Sequence, residues 1–335
     1  MGTASGMETQ ESSRGASFPH ASFRRAQQVI SAIVDGLPLV GAARRELDAA
    51  VRRLSEPAGM PTIRYEEPAG DPGIFGPDSM AWRVNRNGGT LFIGGIAAVL
   101  LELAEPRVRS GVWDHTDFRV DPVGRMQRTG MAAMVTTYGA TRDVEAVTAR
   151  VRRMHERISG STPEGRAYRA SDPELLRWVH ATAVYGFLNA YVRYVAPDLA
   201  RADQDRYYAD SARAAAYYGA TNVPTSVSAM EDYFEAMLPE LRPHPIIGEF
   251  LALVSGAPAL SYAALPLQWL LVHAAIDLLP APFRERLGLE SGQPLRAAAR
   301  PLVGIAVSML RHVGRGGIPE RACRRMGLAV SHLDS

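Results

Sequence analysis

The sequence predicts an all-α protein built as a single globular helical domain. Apolar residues recur at helical spacing along most of the 335 residues, with no alternating β-strand pattern of useful length and no internal repeat. Hydrophobic residues make up 47% of the chain and charged residues 21%, so a large core can be buried. We expect a disordered leader over residues 1–22, the helical domain over 23–325 and a short tail over 326–335.

The N-terminal third is expected to hold two short amphipathic helices and one central helix. The amphipathic helices are predicted over 24–39 and 42–54, and a stretch rich in Pro, Gly and acidic residues over 57–78 predicts a long ordered loop. The helix predicted over 91–103 is apolar on nearly all faces. It should therefore run through the centre of the fold and end at Pro106.

Capping signals mark the helices that follow. A helix is predicted over 124–138, and Thr141 is expected to cap another that reaches about residue 158. After a loop rich in Gly, Pro and Arg, a capping box at Ser171–Glu174 opens a long helix that ends near residue 195. Further helices are predicted near residues 203–219, 228–238, 245–255, 263–279 and 294–313.

Composition excludes several classes of protein. The 37 basic and 35 acidic residues leave a net charge of +2, so the chain has no broad basic field for nucleic acid. Every basic residue is arginine, which excludes enzymes that need a Schiff-base lysine, a P-loop lysine or a kinase lysine. A single cysteine, Cys323, excludes disulfide scaffolds, cysteine-based zinc sites and iron–sulfur clusters.

No segment has the pattern of a signal peptide or a convincing membrane span. Residues 1–17 contain no apolar stretch. The segment 91–103 is too short to cross a bilayer, and 260–279 carries a proline and three polar side chains. We expect both to be core helices and the protein to be cytoplasmic, with a peripheral membrane contact left open.

His155 is the most informative of the eight histidines. Arg152 precedes it by three residues, so both side chains can project from one helix face. A neutral imidazole beside a guanidinium suits a haem site, in which histidine coordinates iron and arginine pairs with a propionate. The alternative interpretation is an exposed helix end that is rich in charged residues, which would show the same spacing.

Two further groups are candidates for a site, and each also has a structural explanation. His180 lies on an apolar stripe, where it could serve a pocket or be a hydrogen-bonded core histidine. Arg125 and Arg128 are neighbours on one helix and are followed by Thr129. Two arginines near an apolar core need an anionic partner or solvent, so this group is either part of a site or a partly exposed helix start.

An ordered set of short motifs lies between about residues 75 and 220. It comprises Phe75-Gly-Pro-Asp-Ser79 with Trp82, Asp114-His-Thr-Asp-Phe118, Asp121-Pro122 with Gly124-Arg125 and Arg128-Thr129, Arg152 with His155, Tyr168-Arg169-Ala170, and Asp172-Pro-Glu-Leu-Leu176 with Trp178-Val-His180. The set resembles the MpaB/rubber-oxygenase catalytic-domain family, which includes the latex-clearing proteins and the mycophenolic-acid-pathway oxygenase.

The resemblance implies a globin-reminiscent helical bundle that holds haem b. His155 corresponds to the proximal iron ligand, and Arg152 and His180 to supports of the haem pocket. Arg125, Arg128 and Thr129 correspond to the distal Arg-x-x-Lys-Thr motif of the rubber oxygenases.

This sequence departs from the family pattern at two positions. Arg128 replaces the distal lysine, and arginine is a poor iron ligand. We therefore expect an open or water-bound sixth position, with Arg128 donating hydrogen bonds to dioxygen or substrate. Glu105 stands where many relatives carry histidine, and we assign it no role.

These observations favour a haem b-dependent oxidoreductase. We expect an oxygenase that acts on a small or medium apolar substrate with dioxygen or peroxide, without nucleic acid and in an oligomeric state that the sequence does not indicate. One alternative is a catalytically silent helical protein that binds an apolar ligand such as a lipid or terpenoid. Another is a non-haem metal enzyme that uses His115, His155 and His180.

Overall fold

The computed structural model describes residues 62–259, 262–312 and 316–334. Within these ranges the protein contains thirteen α-helices, three short 3-10 helices and a single two-stranded antiparallel ribbon, which confirms the predicted all-α class. The leader predicted over 1–22 and the helices predicted over 24–39 and 42–54 lie outside the described residues.

The helices are numbered in chain order. The first seven are α1 (Met80–Val84), α2 (Gly88–Glu102), α3 (Pro106–Trp113), α4 (Pro122–Tyr138), α5 (Thr141–His155), α6 (Pro173–Tyr194) and α7 (Arg201–Tyr218). The remaining six are α8 (Val227–Met237), α9 (Pro245–Gly256), α10 (Leu265–Ile276), α11 (Ala281–Arg286), α12 (Gln293–His312) and α13 (Ile318–Arg325). Strands β1 (Ser159–Ser161) and β2 (Ala167–Arg169) form the ribbon, and 3-10 helices occur at Leu238–Glu240, Tyr262–Ala264 and Val330–Asp334.

Several boundaries differ from the prediction. Helix α3 was not expected, because Pro106 was read as a stop; it is instead the first residue of a new helix, which Glu105 caps by accepting from the Val108 N–H at 2.7 Å. The helix predicted to reach residue 158 ends at His155, and the loop expected over 160–170 contributes to the β ribbon.

Two helix starts use caps other than those predicted. Asp172, rather than Ser171, caps α6 and accepts from the Glu174 N–H at 2.9 Å. Thr141 is the first residue of α5 rather than its cap, and its hydroxyl donates to Asp71 at 2.9 Å. The loop residue Asp71 also accepts the Thr141 N–H, so a side chain 70 positions away takes the capping role.

The predicted ordered loop is held in place by the C-terminal helix α13. Residues 62–79 contain turns but no helix or strand. The buried Arg325 guanidinium donates to the carbonyls of Tyr65, Asp71 and Tyr138 at 2.7 to 3.0 Å. Glu66 accepts from Arg321 at 2.9 Å. The loop is therefore fixed to the end of α4 by hydrogen bonds from a distant helix.

Helix α2 runs through the centre of the fold, as its composition predicts, and crosses α6 at a pair of glycines. A Cβ built on Gly94 would lie 2.6 Å from the backbone of Gly186, and one built on Gly186 would meet the Gly94 carbonyl still more closely. Farther along, the Trp178 Nε1 donates to the Leu101 carbonyl at 3.3 Å. The two helices are therefore antiparallel, and glycine lets their backbones touch at the crossing.

No single helix in the described ranges is long and apolar enough to cross a membrane. Taken together, α2 and α3 have the length and apolar composition of a membrane span, but they are bent by 112° at the break between them.

Replacement of Gly186 by alanine is expected to lower the free energy of unfolding by about 1–3 kcal/mol, because the new methyl group would force α2 and α6 apart. Gly248→Ala is the matched control: this helical glycine has open space around its Cβ position, so the substitution should be neutral or slightly stabilising. Denaturant unfolding of the three proteins measures the difference. Equal losses for the two variants would contradict a tight crossing.

Candidate functional site

His155 ends helix α5 with a desolvated imidazole. The buried face of this helix, Val144, Val147 and Thr148, packs it onto the core. His155 itself is half-buried, and its Nδ1 is enclosed without a hydrogen-bond partner among the described residues. Burial and, secondarily, the positive charge of Arg125 lower the pKa of His155. The ring is therefore neutral at neutral pH, which is the form that ligates metals.

His180 has the same character on helix α6. Burial lowers its pKa to about 4, and its Nε2 has no hydrogen-bond partner in the described part of the chain. An unpaired buried polar atom costs on the order of 1–3 kcal/mol, so native proteins retain few of them. Unpaired buried atoms also occur on other side chains of the described residues, but a neutral buried imidazole is the kind that can ligate a metal.

Arg125 stands near the start of α4, where Asp121 caps the helix and Pro122 is its first residue. Its Nη1 donates to the Thr129 hydroxyl at 2.7 Å, and that hydroxyl donates to the Arg125 carbonyl at 3.0 Å. The Arg125 Nε is buried without a partner among the described residues. Burial lowers the pKa of Arg125, whereas the negative charge of Glu102 raises it. Thr129 therefore orients a desolvated cation.

Glu102 is the site residue that the sequence analysis missed. It is the last residue of α2 and the only charged residue in that helix. Burial raises its pKa to about 7, which the charge of Arg125 and a hydrogen bond from Thr182 at 3.3 Å partly oppose. A lone carboxylate at the end of an otherwise apolar central helix was the signal that could have identified it.

Helix geometry places Glu102 and His180 on the same side of the α2–α6 crossing. The position of a Cβ on Gly95 lies 3.9 Å from Phe187, so these two residues face each other beside the glycine pair. Glu102 follows Gly95 by seven residues, so both lie on one face of α2. His180 precedes Phe187 by seven residues, so both lie on one face of α6. Because the helices are antiparallel, Glu102 and His180 lie at the same level.

These residues belong to a half-buried strip on one side of the two helices. All six of its residues are half-buried, whereas at least half of each helix is buried: Gly95, Val99, Glu102, His180, Ala183 and Phe187. We call this the α2–α6 strip. Arg125 is coupled electrostatically to Glu102 and to His155. This side of the helices thus combines apolar side chains with the Glu102 carboxyl, and Arg125 couples that carboxyl to the His155 imidazole.

Two of the residues selected from the sequence have their contacts elsewhere. Arg128 pairs with Asp121 at 3.3 Å and with Asp117 at 3.6 Å, at the N-terminal end of α4. Arg152 is exposed and lines a shallow surface depression between α5 and α7, next to Thr148 and Tyr217. The charge of Arg128 nevertheless lowers the pKa of Arg125, so Arg128 stays near Arg125, whereas Arg152 faces the surface.

The metal site considered from His115, His155 and His180 has no counterpart in the described ranges, where no group of three or more His, Cys, Asp or Glu side chains is arranged to hold a metal ion. The His115 Nε2 lies 3.1 Å from the Tyr168 hydroxyl and is thus engaged with the β ribbon.

Comparison with protein families gives one match, which covers more than half of the chain. The model described as "ER-bound oxygenase mpaB/B'/Rubber oxygenase, catalytic domain" matches residues 82–307. The chain belongs to this family. The resemblance inferred from the ordered motifs is thereby confirmed, and the matched region contains every candidate site residue from Glu102 to His180. Searches of curated proteins and of solved structures found no match.

The stability of a Glu102→Gln variant should depend on pH in a defined way. The folded protein raises the Glu102 pKa from 4.5 to about 7, so ionisation costs stability as pH rises through this window. Glutamine removes that cost, and we expect the variant to be more stable than the parent by about 1–3 kcal/mol at pH 8. This gain should disappear below pH 4.5.

Denaturant unfolding from pH 4 to 8 tests this expectation, with the exposed Glu235→Gln as the control that should show no such trend. His180 contributes a pH dependence of the opposite sign between pH 6.5 and about 4, but it is present in all three proteins and cancels in the differences. A gain for Glu102→Gln that is the same at all pH values would contradict a protonated carboxyl.

Proposed function

We propose that this protein is a haem b-dependent oxygenase that acts on a small or medium apolar substrate, with dioxygen or peroxide as the oxidant. The proposal rests on one observation above all: His155 and His180 are desolvated imidazoles, each with a ring nitrogen that lacks a partner among the described residues. Membership of an oxygenase family supports the reaction class.

The residues fit the cofactor in charge and polarity. Iron takes a neutral imidazole, and burial together with Arg125 keeps His155 neutral, so we assign His155 as the iron ligand. We assign His180 and Arg152 as supports of the pocket, where His180 presents an unpaired ring nitrogen and Arg152 a cation that a propionate could pair with. When bound, haem supplies the chemistry that activates the oxidant.

The chain itself supplies binding, water exclusion and control of charge. The apolar side chains of the α2–α6 strip, Val99, Ala183 and Phe187, suit a hydrophobic substrate. Thr129 holds Arg125 so that its unpaired Nε can donate to a group that gains negative charge. The Glu102 carboxyl can hold or release a proton near neutral pH.

Arg128 is proposed to act as a donor and not as a ligand. A guanidinium has no free lone pair to give to a metal, so Arg128 cannot replace a coordinating lysine. We propose that, with haem bound, Arg128 would donate hydrogen bonds to dioxygen or substrate. Its present partners, Asp117 and Asp121, are exposed, so these ion pairs are weak enough to be exchanged.

The absorption spectrum of the purified protein tests the cofactor and its ligand. We expect a Soret band that His155→Ala largely removes, because no other described side chain is assigned to hold the iron. His273→Ala is the matched control: this imidazole stacks on the half-exposed Trp269 and is hydrogen-bonded to the Trp269 carbonyl, and its loss should leave the band unchanged.

A normal Soret band in His155→Ala would refute the ligand assignment. Parent protein that stays colourless after haem reconstitution, yet binds an apolar fluorescent probe, would instead identify a binding protein without haem chemistry.

A further inference from the structure

An exposed apolar face covers the outer side of helices α10 and α12. Eight large hydrophobic residues are exposed in the described ranges, and five of them lie on or next to these two helices. Their exposed fractions reach 79% at Tyr262 and 67% at Leu295. The five are Tyr262, Trp269, Leu295, Leu302 and Met309.

Contacts with α2 make this one surface. Helices α10 and α12 both pack on α2 and also on each other, so the sides that they turn away from α2 are neighbouring surfaces. On the inner side of α12, the Val307 carbonyl accepts from the Asn87 side chain at 3.5 Å, and Leu310 lies 3.2 Å from the Cβ position of Gly89. Residues 295, 302 and 309 are spaced by seven and share the opposite side.

The first half of α12 turns the buried Arg296 toward the core and leaves Leu295 and Leu302 exposed. Arg296 is buried and bonds to Asp277 at 3.2 Å, and Arg300 bonds to the other oxygen of the same buried carboxylate at 3.0 Å. Leu295 and Leu302 consequently point to the outside. Arg300 stays 47% exposed beside these leucines. A face that combines exposed leucines with a partly exposed guanidinium suits a boundary between polar and apolar surroundings.

We propose that this α10–α12 face binds the surface of a lipid bilayer. Neither helix contains an acidic residue, so the face carries no charge that would repel an anionic headgroup. Tyr262 and Trp269 are the residue types that favour the boundary between headgroups and acyl chains. Leu295, Leu302 and Met309 supply apolar area for shallow insertion. This proposal does not depend on the proposed haem chemistry.

A second copy of the chain fits this face less well. The spacing along α12 resembles a coiled-coil seam, but the positions beside the seam are Ala299, Pro301 and Ala306 and not the charged residues that specify helix pairing. A proline on the contact side also disfavours close helix packing. In addition, Tyr262 and Trp269 extend the apolar area across a second helix, which is wider than one seam.

The intrinsic tryptophan fluorescence reports on this surface directly. Trp82, Trp113 and Trp178 are buried, whereas Trp269 is 45% exposed. We expect vesicles of phosphatidylcholine with phosphatidylglycerol to shift the emission of the full-length protein to shorter wavelength and to carry the protein upward in a flotation gradient. Trp269→Phe should abolish the shift and retain most of the flotation.

The double variant Leu295→Glu with Leu302→Glu should lower the vesicle-bound fraction at least tenfold, while Val330→Glu, an exposed apolar site outside this face, should bind as the parent does. Vesicle binding by the double variant equal to that of the parent would overturn the proposal. The proposal would also be overturned if the parent protein did not bind vesicles and sedimented as a dimer while the double variant sedimented as a monomer. That result would assign the face to a second copy. The parent protein could also fail to bind vesicles and show tryptophan emission at the shorter wavelength in their absence. That result would overturn the proposal too, because it would show that the face is covered within the chain.

Discussion

The close contact between Gly94 and Gly186 sets the geometry on which the rest of the structure depends. With no side chain at either position, α2 and α6 meet backbone to backbone and run antiparallel through the core. Their adjoining sides then form the α2–α6 strip, and the seven-residue return along each helix places Glu102 opposite His180. A larger residue at the crossing would separate the helices and with them the two halves of the strip.

The ionisable groups around this strip are all shifted toward their neutral forms. Burial raises the pKa of Glu102 and lowers the pKa values of Arg125, His155 and His180. The opposite charges of Glu102 and Arg125 partly offset each other's pKa shifts. The unpaired ring nitrogens, in contrast, have no hydrogen-bond partner among the described residues. Such groups reduce stability, and proteins concentrate them where binding or chemistry needs them. These groups therefore mark the surroundings of Glu102 and Arg125 as the candidate functional site.

The segments that flank the family region complete the fold by binding each other. The loop over 62–79 precedes the matched residues and α13 follows them, and Arg325 joins the two through three backbone carbonyls. The same loop supplies Asp71, which caps α5, the helix that ends at His155. The position of His155 thus depends on a residue outside the region that defines the family.

The sequence by itself determined the helical class and the central place of α2, and it selected Arg125, Thr129 and His155 as candidate site residues, because these follow from local periodicity, capping chemistry and short motifs. Only the tertiary structure decided that Glu102 belongs to the site, that Arg128 pairs with Asp117 and Asp121, that Arg152 faces the surface and that Asp71 caps α5. Each of these outcomes depends on which helix faces a given side chain. That is a contact between distant parts of the chain, and no local pattern encodes it.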